Sequence, residues 1–407
     1  MSNSKAGSPL KSVCFVVSNP LTLKCFLLDH LAALSRVCRL TCIANWDDPA
    51  GLLQCGVDVP LVRVPIERTI SPGRDLQALW TLQGYFRRNR VDVVHSVTPK
   101  AGLLAMTAAA LAGVPVRIHT FTGQVWANRS GLERTLLKAL DTWLAAMATH
   151  ILVDSESQRD FLVRGNIVPA KKSRVLANGS ICGVDTLRFR PDSGARTRIR
   201  QREGIPEQSV VFLYVGRLKV DKGILNLAQA FARLGVDCSE AWLLIVGPDE
   251  EALAPRIERI CTAVAQRLRF IGFSAVPQEY MAAADVLCLP SRREGFGSVI
   301  IEAASVGIPA VASNIYGITD AVESSVTGLL HAAGDVADLQ SKMKEMMDDQ
   351  ESRKRMGTNA RLRAGRSFSK ELVTSALLDF YGSVAGVCPQ GGVIPPAVVA
   401  DRRGLPV

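Results

Sequence analysis

Apolar runs of three to six residues alternate with longer helical patterns along most of this 407-residue chain, and that alternation most narrowly limits the fold. In the first half the runs are Ser12–Val17, Leu40–Ala44, Leu61–Val64, Val91–Val94, Val116–Phe121 and Ile151–Val153. Between them, Leu23–Leu34, Asp75–Arg87, Lys100–Leu111, Glu133–Ala148 and Ser155–Val163 read as helical. A strand that is apolar on both sides must be covered on both faces, and a helix after each strand supplies the cover. The expected product is an α/β fold with a parallel sheet, whose ligand sits at the carboxyl ends of the strands.

The pattern restarts after residue 207. Val210–Val215, Trp242–Val246, Leu268–Ile271, Val286–Leu289, Ala310–Ala312 and Gly328–Leu330 read as strands of a second unit, so two Rossmann-like domains are expected to face each other across a cleft. The stretch Arg190–Glu207 is polar, flanked by prolines and dense in charge, which marks a boundary. The expected division is a domain over 1–190, a linker over 191–207, a second domain over 208–368, a helix over 369–386 and a disordered tail over 387–407. At 48% hydrophobic and 21% charged residues, the chain can bury two cores.

No apolar run approaches the roughly 20 residues of a membrane-crossing helix, and the amino terminus lacks the basic-then-apolar order of a signal peptide. The ten cysteines are scattered without a C-x-x-C pair, which fits reduced core thiols better than disulfides or a zinc site. A cytoplasmic protein is expected.

Chemistry concentrates first at Pro290–Glu302, P-S-R-R-E-G-F-G-S-V-I-I-E. This is a strand, a glycine-bearing loop and a helix start at Ser298. Gly295 and Gly297 let backbone N–H groups approach an anion, and the helix dipole favours one. Glu294 and Glu302 bracket that phosphate site and would repel a phosphate unless they face hydroxyls, which a carboxylate accepts from a sugar ring. Taken alone, the corner fits a buried tight turn equally well.

A second corner follows Val210–Val215 in G-R-L-K-V-D-K-G, where Arg217 and Lys222 are expected to contact a diphosphate and Lys219 to be solvated. A basic surface turn is the alternative. In the first half, His95 closes V-D-V-V-H and His119 closes V-R-I-H-T, both at strand ends. His95 reads more readily as a structural hydrogen-bonder. His119 precedes a polar loop containing Thr122, and Trp126 offers an apolar face to a sugar. Lys100 adds a positive group at a helix start.

The net charge of +10 is unevenly shared: residues 1–190 hold 23 Lys and Arg against 13 Asp and Glu, and residues 191–407 hold 25 against 25. A basic half suits nucleic acid, an anionic membrane face or a phosphorylated acceptor. No basic stripe interleaved with aromatics is present, so no nucleic-acid partner is expected and the membrane surface is favoured. A solvated basic face without a partner is the alternative.

The set G-R-L-x-x-D-K-G, R-F-I-G-F, A-D-V-L-C-L-P-S, E-G-F-G-x-x-x-x-E and A-A-S-V-G-I-P-A-V-A-S resembles the family 4 retaining glycosyltransferases of the GT-B fold, over about Val210–Leu330. I-H-T-F-T-G-Q-V-W and V-D-V-V-H-S-V-T-P-K-A-G-L-L resemble the branch that elongates bacterial O-antigen, capsule or lipid-linked glycans. The resemblance implies transfer of a sugar from a nucleotide diphosphate sugar, by default a UDP-hexose or UDP-N-acetylhexosamine, to a lipid-linked acceptor at the inner face of the cytoplasmic membrane. It implies that Arg217 and Lys222 neutralise the diphosphate, that Glu302 accepts from the ribose and that Glu294 holds the sugar. It implies further that the loop Gly295, Phe296, Gly297 and Ser298 lines pyrophosphate and sugar, that Gly272 lies beside the base and that His119 contacts the sugar. No metal and no cofactor are expected. Where many members carry a Gly-Gly loop, this chain has Ser18-Asn19-Pro20-Leu21-Thr22-Leu23. A sugar-nucleotide epimerase, a phosphorylase or a non-catalytic nucleotide-sugar-binding module would use the same cleft.

Overall fold

The computed structural model describes residues 10–48, 50–67 and 71–387. Its first half forms a seven-stranded sheet of β1 (Ser12–Val16), β2 (Arg39–Ala44), β3 (Leu61–Arg63), β4 (Val93–Val97), β5 (Val116–Phe121), β6 (His150–Val153) and β7 (Ser173–Val175), in spatial order β3-β2-β1-β4-β5-β6-β7. The second half forms a six-stranded sheet of β8 (Val210–Val215), β9 (Ala241–Val246), β10 (Leu268–Gly272), β11 (Val286–Leu289), β12 (Ala310–Ser313) and β13 (Gly328–His331), in order β10-β9-β8-β11-β12-β13. The strand pairings are parallel throughout both sheets. Consequently the carboxyl ends of all strands in a sheet lie along one edge, and the loops discussed below leave from those edges. Each sheet is packed on both faces, with one apolar cluster on each side. Cys14, Cys42 and Cys288 are buried within the sheets, and burial raises their thiols well above the ordinary range, which keeps them protonated.

Three sequence expectations change. β7 was not foreseen, being a three-residue strand with an arginine at its centre. Residues 191–207, expected as a linker, contain a helix, Ser193–Glu203, capped by Asp192 accepting from the Ala195 N–H. Its Arg200 is buried, meets Asp285 at 2.7 Å and donates to the carbonyls of Ala283, Pro206, Glu207 and Ser209. A charge withdrawn from water needs this full set of partners, so the segment is docked on the second unit. Val387, placed in the expected tail, packs with the first-half core, and residues 388–407 lie outside the described residues.

The last helix, Lys370–Ala385, begins at the cap Ser369, ends at Gly386 and returns to the first sheet, where Leu377, Leu378, Phe380 and Tyr381 join its core. Lys370 reaches Asp185 at 2.8 Å and Asp29 at 3.7 Å, where the chain crosses between the two halves. Each fully buried leucine or phenylalanine contributes roughly 1.5–3 kcal/mol, so this helix is integral to the first half.

Candidate active site

The helix Ser298–Val306 follows β11 through the glycine loop, and no side chain caps its amino end. Its dipole is therefore open to an anion. Beside it, the 220–222 turn brings Lys222 to the loop, where Nζ meets Glu294 Oε1 at 2.7 Å with both groups largely buried. The two corners interlock through Gly223, whose φ is +70°; a Cβ there would stand 2.0 Å from the Pro290 carbonyl oxygen. Only glycine permits that approach.

Arg217 extends from the same turn and pairs with Glu250 at 3.2 Å while remaining 40% exposed. Lys219, expected in solvent, pairs with Glu250 at 3.2 Å and Glu251 at 3.6 Å. Gly272 closes β10 with open space at its Cα. Glu302 lies about one turn into the helix; burial pushes its carboxyl up to about 7 against the opposing pull of Arg188. Gly297 and Ser298 form the helix start as expected, whereas Phe296 turns inward and packs on Phe368 at 5.3 Å, anchoring the loop rather than lining it with its ring.

The first half contributes differently from expectation. His119 is buried: Nδ1 is hydrogen-bonded to Ser96 Oγ at 2.9 Å, the ring meets Phe121 edge-on, and Gly102 of the neighbouring helix lies against it. Burial pushes its imidazole down to about 3, so it is neutral. Strand alternation decides this, because His119 falls on the face covered by the helix Pro99–Leu111. His95, on β4, is hydrogen-bonded to Tyr381 Oη and Thr120 Oγ1, both at 2.8 Å, and joins the last helix to the sheet. Lys100 is held by Asp75 at 2.6 Å. The Thr122 carbonyl accepts from Gln124 and Gln158. Trp126 is buried, donates to Asp141 at 2.6 Å and stacks on Phe161, which stacks on Tyr316. Trp126, Arg134, Lys138, Phe161 and Tyr316 nevertheless line a cavity of about 470 Å³ between the two halves.

Residues not singled out from the sequence close the cleft. Arg293 Nη1 donates to the Gly123 carbonyl at 2.9 Å and its Nη2 pairs with Asp221 at 3.1 Å. Ser155 Oγ donates to the Gly295 carbonyl at 3.0 Å, and the Gly317 N–H donates to Ser157 Oγ at 2.7 Å. A Cβ on Gly295 would lie 2.7 Å from the Gly123 nitrogen and 2.8 Å from Asp154 Oδ2, so the two backbones touch here. Asp154 is buried beside that contact, which pushes its carboxyl up to about 8. The Arg292-Arg293 pair directly before Glu294 was the available signal for this link.

The geometry therefore joins a cation and a carboxylate beside an open helix amino end, with Glu302 about one turn along that helix and the first half's 122–128 and 154–158 segments against the same loop. Residues 195–363 match the family described as glycosyl transferases group 1, and residues 27–179 match the glycosyl transferase 4-like domain. The capsular polysaccharide biosynthesis glycosyltransferase CapM of Staphylococcus aureus is 28% identical over 79% of this chain and 84% of its own length. The UDP-Gal:alpha-D-GlcNAc-diphosphoundecaprenol alpha-1,3-galactosyltransferase of Escherichia coli is 28% identical over 69% of this chain and 73% of its own. Among solved structures, Anabaena Alr3699/HepE in complex with UDP and glucose superposes with a TM-score of 0.78 at 20% identity, covering 92% of this chain and 100% of that one. WaaG, a glycosyltransferase involved in lipopolysaccharide biosynthesis, gives 0.70 at 18% identity, covering 92% and 100%. The fold is GT-B.

Proposed function

As its two halves match glycosyl transferase families that together span most of its length, the chain belongs to the glycosyltransferases, and we propose that it moves a hexose or N-acetylhexosamine from a UDP-sugar to a lipid-linked glycan acceptor with retention of configuration. The observation that carries this reading is the Lys222–Glu294 contact at the open start of the helix Ser298–Val306. Without donor, each group neutralises the other. A nucleotide sugar separates their tasks: Lys222 turns to the diphosphate and Glu294 to sugar hydroxyls. The diphosphate also competes with Glu250 for Arg217, whose fork matches two phosphoryl oxygens. Glu302 accepts from the ribose hydroxyls, which favour its ionised form.

Chemistry then reduces to charge. The bond from the anomeric carbon to the diphosphate oxygen breaks, the sugar acquires oxocarbenium character, and negative charge grows on the leaving oxygen. Lys222, Arg217 and the helix start stabilise that charge. The acceptor hydroxyl attacks from the same face, and its proton passes to the departing phosphate oxygen. Countercharge from side chains and the helix start makes the reaction metal-independent in this reading. A lipid-carried acceptor would bring the protein to the cytoplasmic face of a membrane, and its positive excess resides in the first half. The UDP-sugar and lipid-linked readings draw on the Escherichia coli relative.

The test incubates the protein with a panel of nucleotide sugars and an undecaprenyl-diphosphate-linked sugar acceptor, with and without chelator. Mass spectrometry should find one added hexose or N-acetylhexosamine from a UDP donor, with its anomeric configuration retained by NMR. Inverted product, or activity that a chelator abolishes and only a divalent ion restores, would refute the mechanism.

A further inference from the structure

We infer that the cavity of about 470 Å³ between the helices Gly131–Met147 and Glu156–Arg164 and the 314–319 segment is a second carbohydrate site, which takes a sugar bearing a carboxylate or a phosphate and steadies the donor loop when filled. It is separate from the donor corner, since Arg217, Lys222, Glu294 and Glu302 take no part in its walls. Binding in this cavity is independent of the reaction proposed above, whereas its effect on the donor rests on that reaction.

Charge gives the first property of the occupant. Arg134, Lys138 and Arg164 reach the cavity against one carboxylate, Asp160, which pairs with Arg164 at 3.1 Å. Asp141, below the Trp126 ring's edge, is engaged by the indole N–H at 2.6 Å. Arg134 and Lys138 stand over that ring at 6.0 and 5.4 Å, with no ion-pair partner among the described residues. Cations held only by an aromatic face can turn to an anion, Arg134 with two parallel hydrogen bonds and Lys138 as a compact charge.

Shape gives the second. Phe161 is stacked on Trp126 and on Tyr316, at centroid separations of 5.2 and 4.4 Å and interplanar angles of 17° and 18°. The three rings form a closed stack, which leaves a flat nucleobase no slot between them. A pyranose needs none: its C–H surface lies against apolar walls, and its hydroxyls meet polar side chains, which Asn314 and Thr319 supply from the second half.

The walls belong to both halves, so an occupant holds the halves together. Tyr316 directly precedes Gly317, where a Cβ would stand 2.6 Å from the Gly295 carbonyl oxygen and 3.0 Å from that of Glu294. Ser157, also at the cavity, accepts from the Gly317 N–H at 2.7 Å. A ligand that favours this arrangement favours the one in which Gly123 and Ser155 back the donor loop, and by linkage donor and acidic sugar each raise the other's affinity.

The experiment is titration calorimetry of the full chain with glucuronate, glucose 6-phosphate, glucose and inorganic phosphate. The acidic sugars should bind; glucuronate is the tighter where the natural occupant is a uronic acid unit of a glycan, and glucose 6-phosphate where it is a free sugar phosphate. Glucose and phosphate alone should each bind about tenfold more weakly. Arg134→Gln with Lys138→Gln should weaken the acidic sugar about tenfold with thermal unfolding unchanged, whereas Lys222→Ala should leave its binding as in the wild type. UDP affinity should rise about fivefold when the acidic sugar is present, and the double variant should lose that rise while binding UDP alone as the wild type does. Four results overturn the inference: glucose or phosphate binding as tightly as the acidic sugars, wild-type binding by the double variant, loss of binding in Lys222→Ala, or a UDP affinity indifferent to the acidic sugar. The sugar titration needs neither donor nor acceptor, so it fails or succeeds separately from the transfer reading.

Discussion

The two sheets share a parallel plan, yet their carboxyl edges differ in kind. The second edge is charged and open: Lys222 and Glu294 meet beside an uncapped helix start, with Glu302 about one turn further along that helix. The first edge holds neutral, buried histidines, His95 and His119, with burial lowering both imidazoles. A polar residue at the end of a parallel strand is thus not a ligand group by position alone. It becomes one where its partner can be exchanged for a ligand, as Lys222 can exchange Glu294 for a diphosphate beside an open helix start.

That contrast predicts opposite outcomes for substitutions on the two edges. Lys222→Ala should reduce donor turnover by about 2–4 kcal/mol of transition-state stabilisation, as for loss of an oxyanion donor, in a protein that is still folded at assay temperature although Glu294 has lost its cation; steady-state kinetics beside calorimetry decide it. His95→Ala should do the reverse. It leaves Tyr381 and Thr120 without their partner and costs about 1–3 kcal/mol of stability, measured by denaturant unfolding, with the donor KM unchanged. Equal damage to both properties by either variant would erase the distinction.

Two smaller effects sharpen it. If Glu302 binds ribose as a carboxylate, protonation opposes binding, so the donor KM should rise as pH falls below about 7. One pH unit below that, it should be about tenfold above its high-pH value, and Glu302→Gln should flatten that profile. Tyr381→Phe removes a single hydrogen bond from His95 and should cost about 0.5–1.5 kcal/mol of stability, with no change in the pH dependence of KM.

Much of this was legible in the residues because it depends on local pattern. Every strand but β7 follows from a short apolar run, and the interlocked corners follow from glycines and charges within a few positions of one another. What was not legible depends on distant partners. The charges of 191–207 look solvated until Arg200 is seen against Asp285, 85 positions away. His119 resembles a pocket residue until the helix bearing Gly102 covers it, and His95 acquires its role from Tyr381, 286 positions later. Trp126 is apolar and near the loop, as expected, but its ring is taken by Phe161.

The returning helix Lys370–Ala385 also sets an order of assembly. The first half of the chain leaves the ribosome early, but Leu377, Leu378 and Tyr381, which complete one side of its sheet, are made nearly last. Until then the nascent unit must hold an uncovered apolar face, the kind of surface that chaperones bind and that promotes misassembly. Synthesis stalled before residue 370 should therefore yield an aggregation-prone fragment, whereas the second unit, enclosed by neighbours in sequence, can settle as it emerges.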